Sequence, residues 1–330
     1  MFGSVFKKIL IITTTTITSL LIIELAMRFL GYSPWSFIPS NNPSVYKFDE
    51  KLGWKSKKGF YEIVASEKYK VKSQMNILDE GNRVVASSNK NKEKIIIIGG
   101  SFTQGWGVND EDTFSFRIQK KFNNYKVKNF GQGGFGSVQS YLLLEDVLKK
   151  NKNVKLIVYG FIDHHEYRNV ARGEWLGLLL RYSNIGYSST PKVPYALIDK
   201  NDKIIFHKPT GYLRLPFREN SSLITLIEKS YMRVITKSRK KQQKKVLRKL
   251  VFKMNEISKQ SNSEFLFVNL KSNIEEHKKF LLKNNIDFVD CNLSLTEEFL
   301  VKGNYHPNAK AHSFYGKCIN NEIIKKKLFF

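Results

Sequence analysis

The sequence predicts an α/β protein with a parallel sheet, preceded by one apolar segment long enough to cross a membrane. Three observations predict it. Residues 95–98 are consecutive isoleucines bounded by Gly99 and Gly100, a short β-branched run of the kind buried on both faces of a parallel sheet. Such runs alternate with stretches whose apolar residues recur at helical spacing, which calls for right-handed βαβ crossovers. Residues 9–30 form a longer apolar run, and about 20 such residues span a bilayer.

Within that run, Thr13, Thr14, Thr15, Thr16, Thr18, Glu24 and Arg28 dilute the apolar character. Glu24 and Arg28 stand four apart and can pair near the far interface. No small-x-small cleavage site follows, so residues 1–32 read as an uncleaved signal anchor. Lys7 and Lys8 precede the span, whereas residues 33–46 carry no charge. By the positive-inside rule the N-terminus is cytoplasmic and the rest of the chain is extracytoplasmic, periplasmic in a bacterium.

Composition narrows the classes further. The 330 residues carry 55 Lys+Arg against 29 Asp+Glu, a formal net charge of +26, which makes an anionic polymer or lipid surface a candidate partner and says little about fold. A hydrophobic content of 42% excludes a disordered chain. Two cysteines, Cys291 and Cys318, are too few for a disulfide framework or a Cys/His metal site. They can pair if the fold brings them together.

Residues 33–92 read as a Pro/Asn/Ser linker followed by an extension whose aromatic residues and short alternating runs suggest strands packed on a larger body. The α/β rhythm occupies 93–330. After the strand at 95–98 come a helix at 113–124, with Phe114, Ile118 and Phe122 at helical spacing, a strand at 126–130, a helix at 137–149 and a strand at 154–161. An insertion at about 174–220 interrupts the rhythm, with a hairpin over 195–207 turning at 200–202. Its Trp175, Tyr182, Tyr187 and Tyr195 read as packing or as a substrate-covering flap. Residues 221–260 return to helical spacing, followed by a strand at 264–270, the helix Glu275–Lys283, a strand at 286–291 and a last helix over 308–325.

The chemistry-bearing signal is IIIIGGSFTQGWGV. A serine directly after an apolar strand and two glycines sits at the carboxyl edge of the sheet, where open α/β sheets hold their sites. The alternative is a serine capping the next helix. Far downstream, His306 lies in GNYHPNAK, on a loop entering the last helix, from which it can reach the sheet edge and accept a serine proton.

The GGSFTQGWG run resembles the first block of SGNH/GDSL hydrolases, NFGQGGFGS resembles their second, and HPN is similar to their last. The stretches LAMRFLGY and NILDEGNR are similar to membrane-anchored members. The resemblance covers about three quarters of the chain. It implies a flavodoxin-like three-layer α/β/α fold, Ser101 as nucleophile, His306 as base, and an oxyanion hole from the backbone N–H groups of Ser101 and Gly134; no cofactor and no metal are expected.

Two positions depart from the family pattern. Where the third block places an oxyanion-donating Asn, this chain has Ile162, between Phe161 and Asp163. A replacement donor is expected among His164, His165, Arg168 and Asn169, although Glu166 and Arg168 read first as a salt-bridged structural loop. His164 and His165 are adjacent and point apart, which disfavours a shared metal. Where the family has an acid before the histidine, this chain has Gly303 and Asn304. A Ser-His dyad oriented by a backbone carbonyl is therefore expected, since an Asn in that place favours the wrong tautomer.

The functional expectation is a serine ester hydrolase or O-acyl transferase acting on an extracytoplasmic glycan or lipid ester through an acyl-serine. Two other readings are a catalytically impaired carbohydrate- or lipid-binding protein of the same fold and a basic membrane-surface scaffold. The second rests on eight basic residues within 237–249, expected on one helix. Outward topology and the lack of interleaved stacking aromatics argue against a nucleic-acid partner.

Overall fold

The computed structural model describes residues 2–38, 42–89, 93–181 and 191–328. Helix α1 (Phe2–Phe29) contains a stretch with a mean hydropathy of 2.0, none of it buried against the chain. The extension folds as two antiparallel hairpins, β1 (Tyr46–Asp49) with β2 (Gly53–Ser56) and β3 (Gly59–Ser66) with β4 (Val71–Ile77). Alternate residues Tyr61, Ile63, Met75 and Ile77 form its own small core with Val45.

The main body then runs β5 (Lys94–Gly99), α2 (Ser101–Gln104), α3 (Phe114–Lys121), β6 (Lys126–Asn129), α4 (Ser137–Lys150), β7 (Val154–Ile162), α5 (His164–Asn169) and α6 (Gly173–Arg181). It continues with the hairpin β8 (Val193–Ile198) and β9 (Ile204–Thr210), α7 (Ser222–Lys237), α8 (Gln243–Gln260), β10 (Glu264–Lys271), α9 (Glu275–Lys283), β11 (Asp287–Asp290) and α10 (Ala309–Lys326). Five strands pair in parallel in the order β11-β10-β7-β5-β6. Counted within the sheet from the β6 edge this is 2-1-3-4-5, the flavodoxin-like order, with its switch point between β5 and β7.

Strand alternation builds both outer layers. Ile96 and Ile98 pack with Val138 and Leu144 of α4 and Leu250 and Met254 of α8. Ile95 and Ile97 pack on the other face with Phe114 and Ile118 of α3 and Tyr315 and Ile319 of α10. The buried isoleucine run thus serves two cores at once, which is why it lacks polar alternation. Cys291, just after β11, is disulfide-bonded to Cys318 in α10 across 27 residues. Closing a loop of that length stabilises the fold by roughly 3–4 kcal/mol through the unfolded chain.

Two expectations change. The basic run is not one helix, because α7 ends at Lys237, a 3₁₀ turn covers Ser238–Gln242, and α8 starts afresh. Arg239 anchors that turn, stacking 4.5 Å over the Tyr195 ring and donating to Ala171 O at 3.1 Å. Part of the run is also paired: Lys244 with Glu276, and Lys245 and Lys249 with Asp202. In the insertion, Trp175 packs with Trp54, Phe135, Tyr212 and Met232, so it is core and not a flap, while Tyr182 and Tyr187 lie outside the described residues.

One ion pair ties the extension to the main body. The Arg83 guanidinium is fully buried and uses all five of its N–H groups. Nε donates to Asp110 Oδ1 at 2.6 Å, Nη1 to Gln104 O at 2.9 Å and Gly105 O at 2.5 Å, and Nη2 to Gln74 O at 3.0 Å and Val108 O at 2.7 Å. Removing it leaves the buried Asp110 carboxylate without its counter-charge, held among the described residues only by the Asn76 N–H and amide, and leaves several carbonyls unpaired. We expect Arg83→Met to lower the unfolding free energy by about 3–5 kcal/mol in urea titration of the detergent-solubilised chain. A loss below about 1 kcal/mol would mean that water replaces the guanidinium.

Candidate active site

The nucleophile turn is shaped by its glycines. At Gly99, φ is +153°, and a Cβ there would come within 2.2 Å of Thr103 Oγ1 and 2.7 Å of Gly160 O. Strand β5 can therefore turn directly into α2 against the end of β7. Ser101 opens α2, and that helix has no side-chain cap. Its hydroxyl points instead to His306, with Oγ 2.9 Å from Nε2, so the capping alternative does not hold.

His306 lies on the loop before α10, pinned by Val301 N–H donating to His306 O at 2.9 Å. Asn308 starts α10 by accepting from Lys310 N–H at 3.0 Å and Ala311 N–H at 3.2 Å. The other ring nitrogen, Nδ1, is 2.6 Å from Asn304 Oδ1. That oxygen also accepts from His306 N–H at 3.2 Å, while Asn304 Nδ2 donates to Ala65 O in β3 at 2.6 Å.

This pattern fixes the amide. Turned over, it would set its N–H₂ against the His306 N–H and its oxygen against the Ala65 carbonyl. Oδ1 therefore faces the ring, Nδ1 carries the proton, and Nε2 presents its lone pair to the serine. The expected backbone carbonyl is not what orients His306. Asn304 does so, and the wrong tautomer expected of an Asn is prevented because its donor is taken by Ala65, 239 residues away.

The Gly134 loop is held by the extension. Trp54 Nε1 donates to Gly133 O at 2.9 Å. Gly133 N–H is shared by Tyr46 Oη and Gln104 Oε1, each at 3.0 Å. Gln132 Oε1 accepts from Ser56 N–H at 2.8 Å and from its hydroxyl at 2.7 Å. Gly134 itself has φ of +79°, and among the described residues its N–H and that of Ser101 meet no acceptor. Sequence reasoning read the aromatic residues of the extension only as part of strands packed on a larger body, and singled out neither Tyr46 nor Trp54. Their hydroxyl and indole N–H, placed next to a glycine-rich run, were the signal available.

The third-block residues separate into distinct surroundings. Ile162 points into the α3/α10 core. Asp163 is half-exposed and caps α5, accepting from His164 N–H at 2.9 Å. Asn169 is structural, with Oδ1 accepting from Val138 N–H at 3.1 Å and Nδ2 donating to Ser137 Oγ at 3.0 Å. Glu166 pairs with His277 at 2.8 Å, as expected of a structural loop.

Arg168 departs from that expectation. It pairs with no carboxylate among the described residues. Its Nη1 donates to Phe135 O at 3.0 Å, its Nη2 lies 3.5 Å from His164 Nδ1, its guanidinium covers Trp175 at 4.4 Å, and its Nε has no partner. His165 Nδ1 is 2.7 Å from Tyr159 Oη, and its Nε2 is buried without a partner beside Gly100. Burial, with Arg168 and His164 adding to it, holds His165 well below the ordinary histidine range.

The site is cationic and poor in acids. Burial first, then the charges of Arg168, His164 and Lys271, depress the His306 ring to about 4. His164 is likewise pulled down to about 4 by burial and by Arg168. Both rings are neutral at pH 7, so Nε2 of His306 is free to accept a proton.

No protein-family model and no curated protein matches the chain. Solved structures do. TesA aligns at 9% identity and a TM-score of 0.41, covering 72% of this chain and 100% of that one. The psychrotrophic esterase EstA from Pseudoalteromonas sp. aligns at 11% and 0.41, covering 71% and 98%. AlinE4, described as an SGNH-hydrolase family esterase, aligns at 10% and 0.36, covering 74% and 98%. The chemistry of the site is read from this chain's own atoms.

We expect an NMR titration of His306 to have its midpoint near 4. Asn304→Asp should raise that midpoint by placing a negative charge on Nδ1–H, and Arg168→Met should raise it by removing a neighbouring cation. An unchanged midpoint in both variants would show that neither group faces the ring.

Proposed function

We propose that the chain is a serine ester hydrolase or O-acyl transferase of the SGNH type. The observation that carries this is the continuous relay from Ser101 Oγ to His306 Nε2 at 2.9 Å and from His306 Nδ1 to Asn304 Oδ1 at 2.6 Å. In the proposed reaction Ser101 attacks an ester carbonyl while His306 takes its proton. The negative charge of the tetrahedral intermediate falls to the free N–H groups of Ser101 and Gly134. His306 then protonates the departing alcohol, leaving an acyl-serine for water or a sugar hydroxyl to attack.

Arg168 is our candidate for the donor that Ile162 does not supply. Its guanidinium is tied to Phe135 O, next to Gly134, and lies beside Gly100, next to Ser101. A permanent charge there favours the oxyanion and needs no tautomer of its own. The impaired-binding reading drew on Ile162 and Asn304, and the clamped Asn304 amide removes half of its basis.

The proposed setting is extracytoplasmic, with α1 as anchor. Lys7 and Lys8 precede the span, and the Cys291–Cys318 disulfide belongs in an oxidising compartment. The proposed substrate is a glycan or lipid ester.

A fluorophosphonate probe should label the wild type and fail to label Ser101→Ala, and His306→Ala should lose cleavage of a simple aryl ester. Arg168→Met should reduce turnover by about 10²–10³, as loss of an oxyanion donor does. Equal labelling of wild type and Ser101→Ala would end the catalytic reading, whereas full turnover in Arg168→Met would end only the assignment of Arg168.

A further inference from the structure

Near its end, helix α1 is bonded to the first turn of α7. Glu24 accepts from Ser222 N–H at 2.9 Å, Leu223 N–H at 3.0 Å and the Ser221 hydroxyl at 2.8 Å. Arg28 donates to Glu24 at 2.7 Å and to Asn220 O at 2.6 Å. A carboxylate there satisfies orphan N–H groups of α7 and suits the positive end of its dipole.

The uncharged stretch between Lys8 and Glu24, residues 9–23, makes about 22 Å of helix at 1.5 Å per residue. A hydrocarbon core measures about 30 Å. With α1 across a bilayer, Glu24 is drawn to the outer boundary of the hydrocarbon. The first turn of α7 comes with it.

Helix α7 has two faces. Ser222, Thr225, Glu228, Met232 and Thr236 are buried against the domain. On the other side, at helical spacing, Ile227 is 49% exposed, Tyr231 51%, Val234 70% and Ile235 40%. Exposed Lys237, one turn after Val234, borders that apolar face, with exposed Arg233 further round the same flank, and Lys240 and Lys241 in the following turn pair with no acid among the described residues. A run of exposed apolar side chains of this extent marks a contact surface. A basic rim beside an apolar face is the pattern of a helix lying in a membrane interface.

We propose that α7 is a second membrane element, lying along the outer leaflet with Ile227, Tyr231, Val234 and Ile235 in the headgroup–acyl boundary. Its basic rim faces anionic headgroups. The bilayer is the occupant, and not a second copy or another protein, because Glu24 pins the start of α7 where the hydrocarbon ends. The proposal rests on the anchor reading of α1.

The test uses the full chain in nanodiscs containing phosphatidylglycerol, with single cysteines carrying a spin label. Because Cys291 and Cys318 are disulfide-bonded, the introduced thiol is the one labelled. Ile17→Cys in α1 reports the anchor, Ile227→Cys and Val234→Cys report α7, and Leu282→Cys, exposed on α9, reports water. We expect positions 17, 227 and 234 to collide several-fold more with oxygen than with a nickel chelate, and 282 to show the reverse. Water-like values at 227 and 234 with a lipid-like 17 overturn the α7 proposal and leave the anchor standing. A water-like 17 overturns the anchor and the proposal together. Labels at 227 and 234 shielded from both reagents mean a protein partner, and also overturn it.

Discussion

The candidate relay depends on where one amide points. Asn304 is neutral and ambidextrous, able to offer His306 either an oxygen or an N–H₂. A backbone carbonyl of β3, Ala65 O, takes the N–H₂ at 2.6 Å and leaves the oxygen for the ring. Without that carbonyl, Asn304 could settle the wrong way round and set the proton on Nε2, where it would block the serine. The extension is therefore part of the site. It fixes the tautomer through Ala65 and the Gly134 loop through Tyr46, Trp54 and Ser56.

Replacing the usual acid with an amide changes the electrostatics of proton transfer. Moving the His306 ring from 6.5 to about 4 makes imidazolium harder to form by about 3 kcal/mol, at roughly 1.4 kcal/mol per pH unit. The main cause is burial, and Arg168 contributes next. In the proposed reaction that same cation would stand near the oxyanion of the tetrahedral intermediate. On that proposal, what Arg168 costs the base it would return at the oxyanion, so that the transition state as a whole is less penalised than the ring alone.

Much of this was legible in the sequence. The isoleucine run before two glycines announced the strand and the turn that carries Ser101, because a strand serving two cores has no other pattern. The HPN loop gave His306, 205 residues from Ser101, since Pro307 and Asn308 announce the start of a helix. The role of Asn304 was not legible, because its partner is a main-chain carbonyl with no side-chain signal. Arg168 was misread because an Arg two residues from a Glu suggests an ion pair, yet that Glu is taken by His277. The break in the basic run depended on a tertiary contact, Arg239 on Tyr195, which helical spacing cannot reveal.

The supports of the candidate site and of α1 share one apolar cluster. Phe135, next to Gly134, packs with Trp54 of the extension, Trp175 of the insertion and Met232 of α7. On the α1 side of that cluster, Trp35 N–H donates to Arg218 O at 3.1 Å and to Thr225 Oγ1 at 2.9 Å, and the Arg218 guanidinium covers the Trp35 ring at 4.2 Å. Packed interiors transmit displacement and do not absorb it. Met232 of α7 and the Gly134 loop are thus joined through the aromatic residues of one buried cluster. The insertion that interrupts the α/β rhythm makes this connection, since Trp175 of α6 stands against Gly134 while Gly173, at the start of the same helix, stands against Met232 of α7.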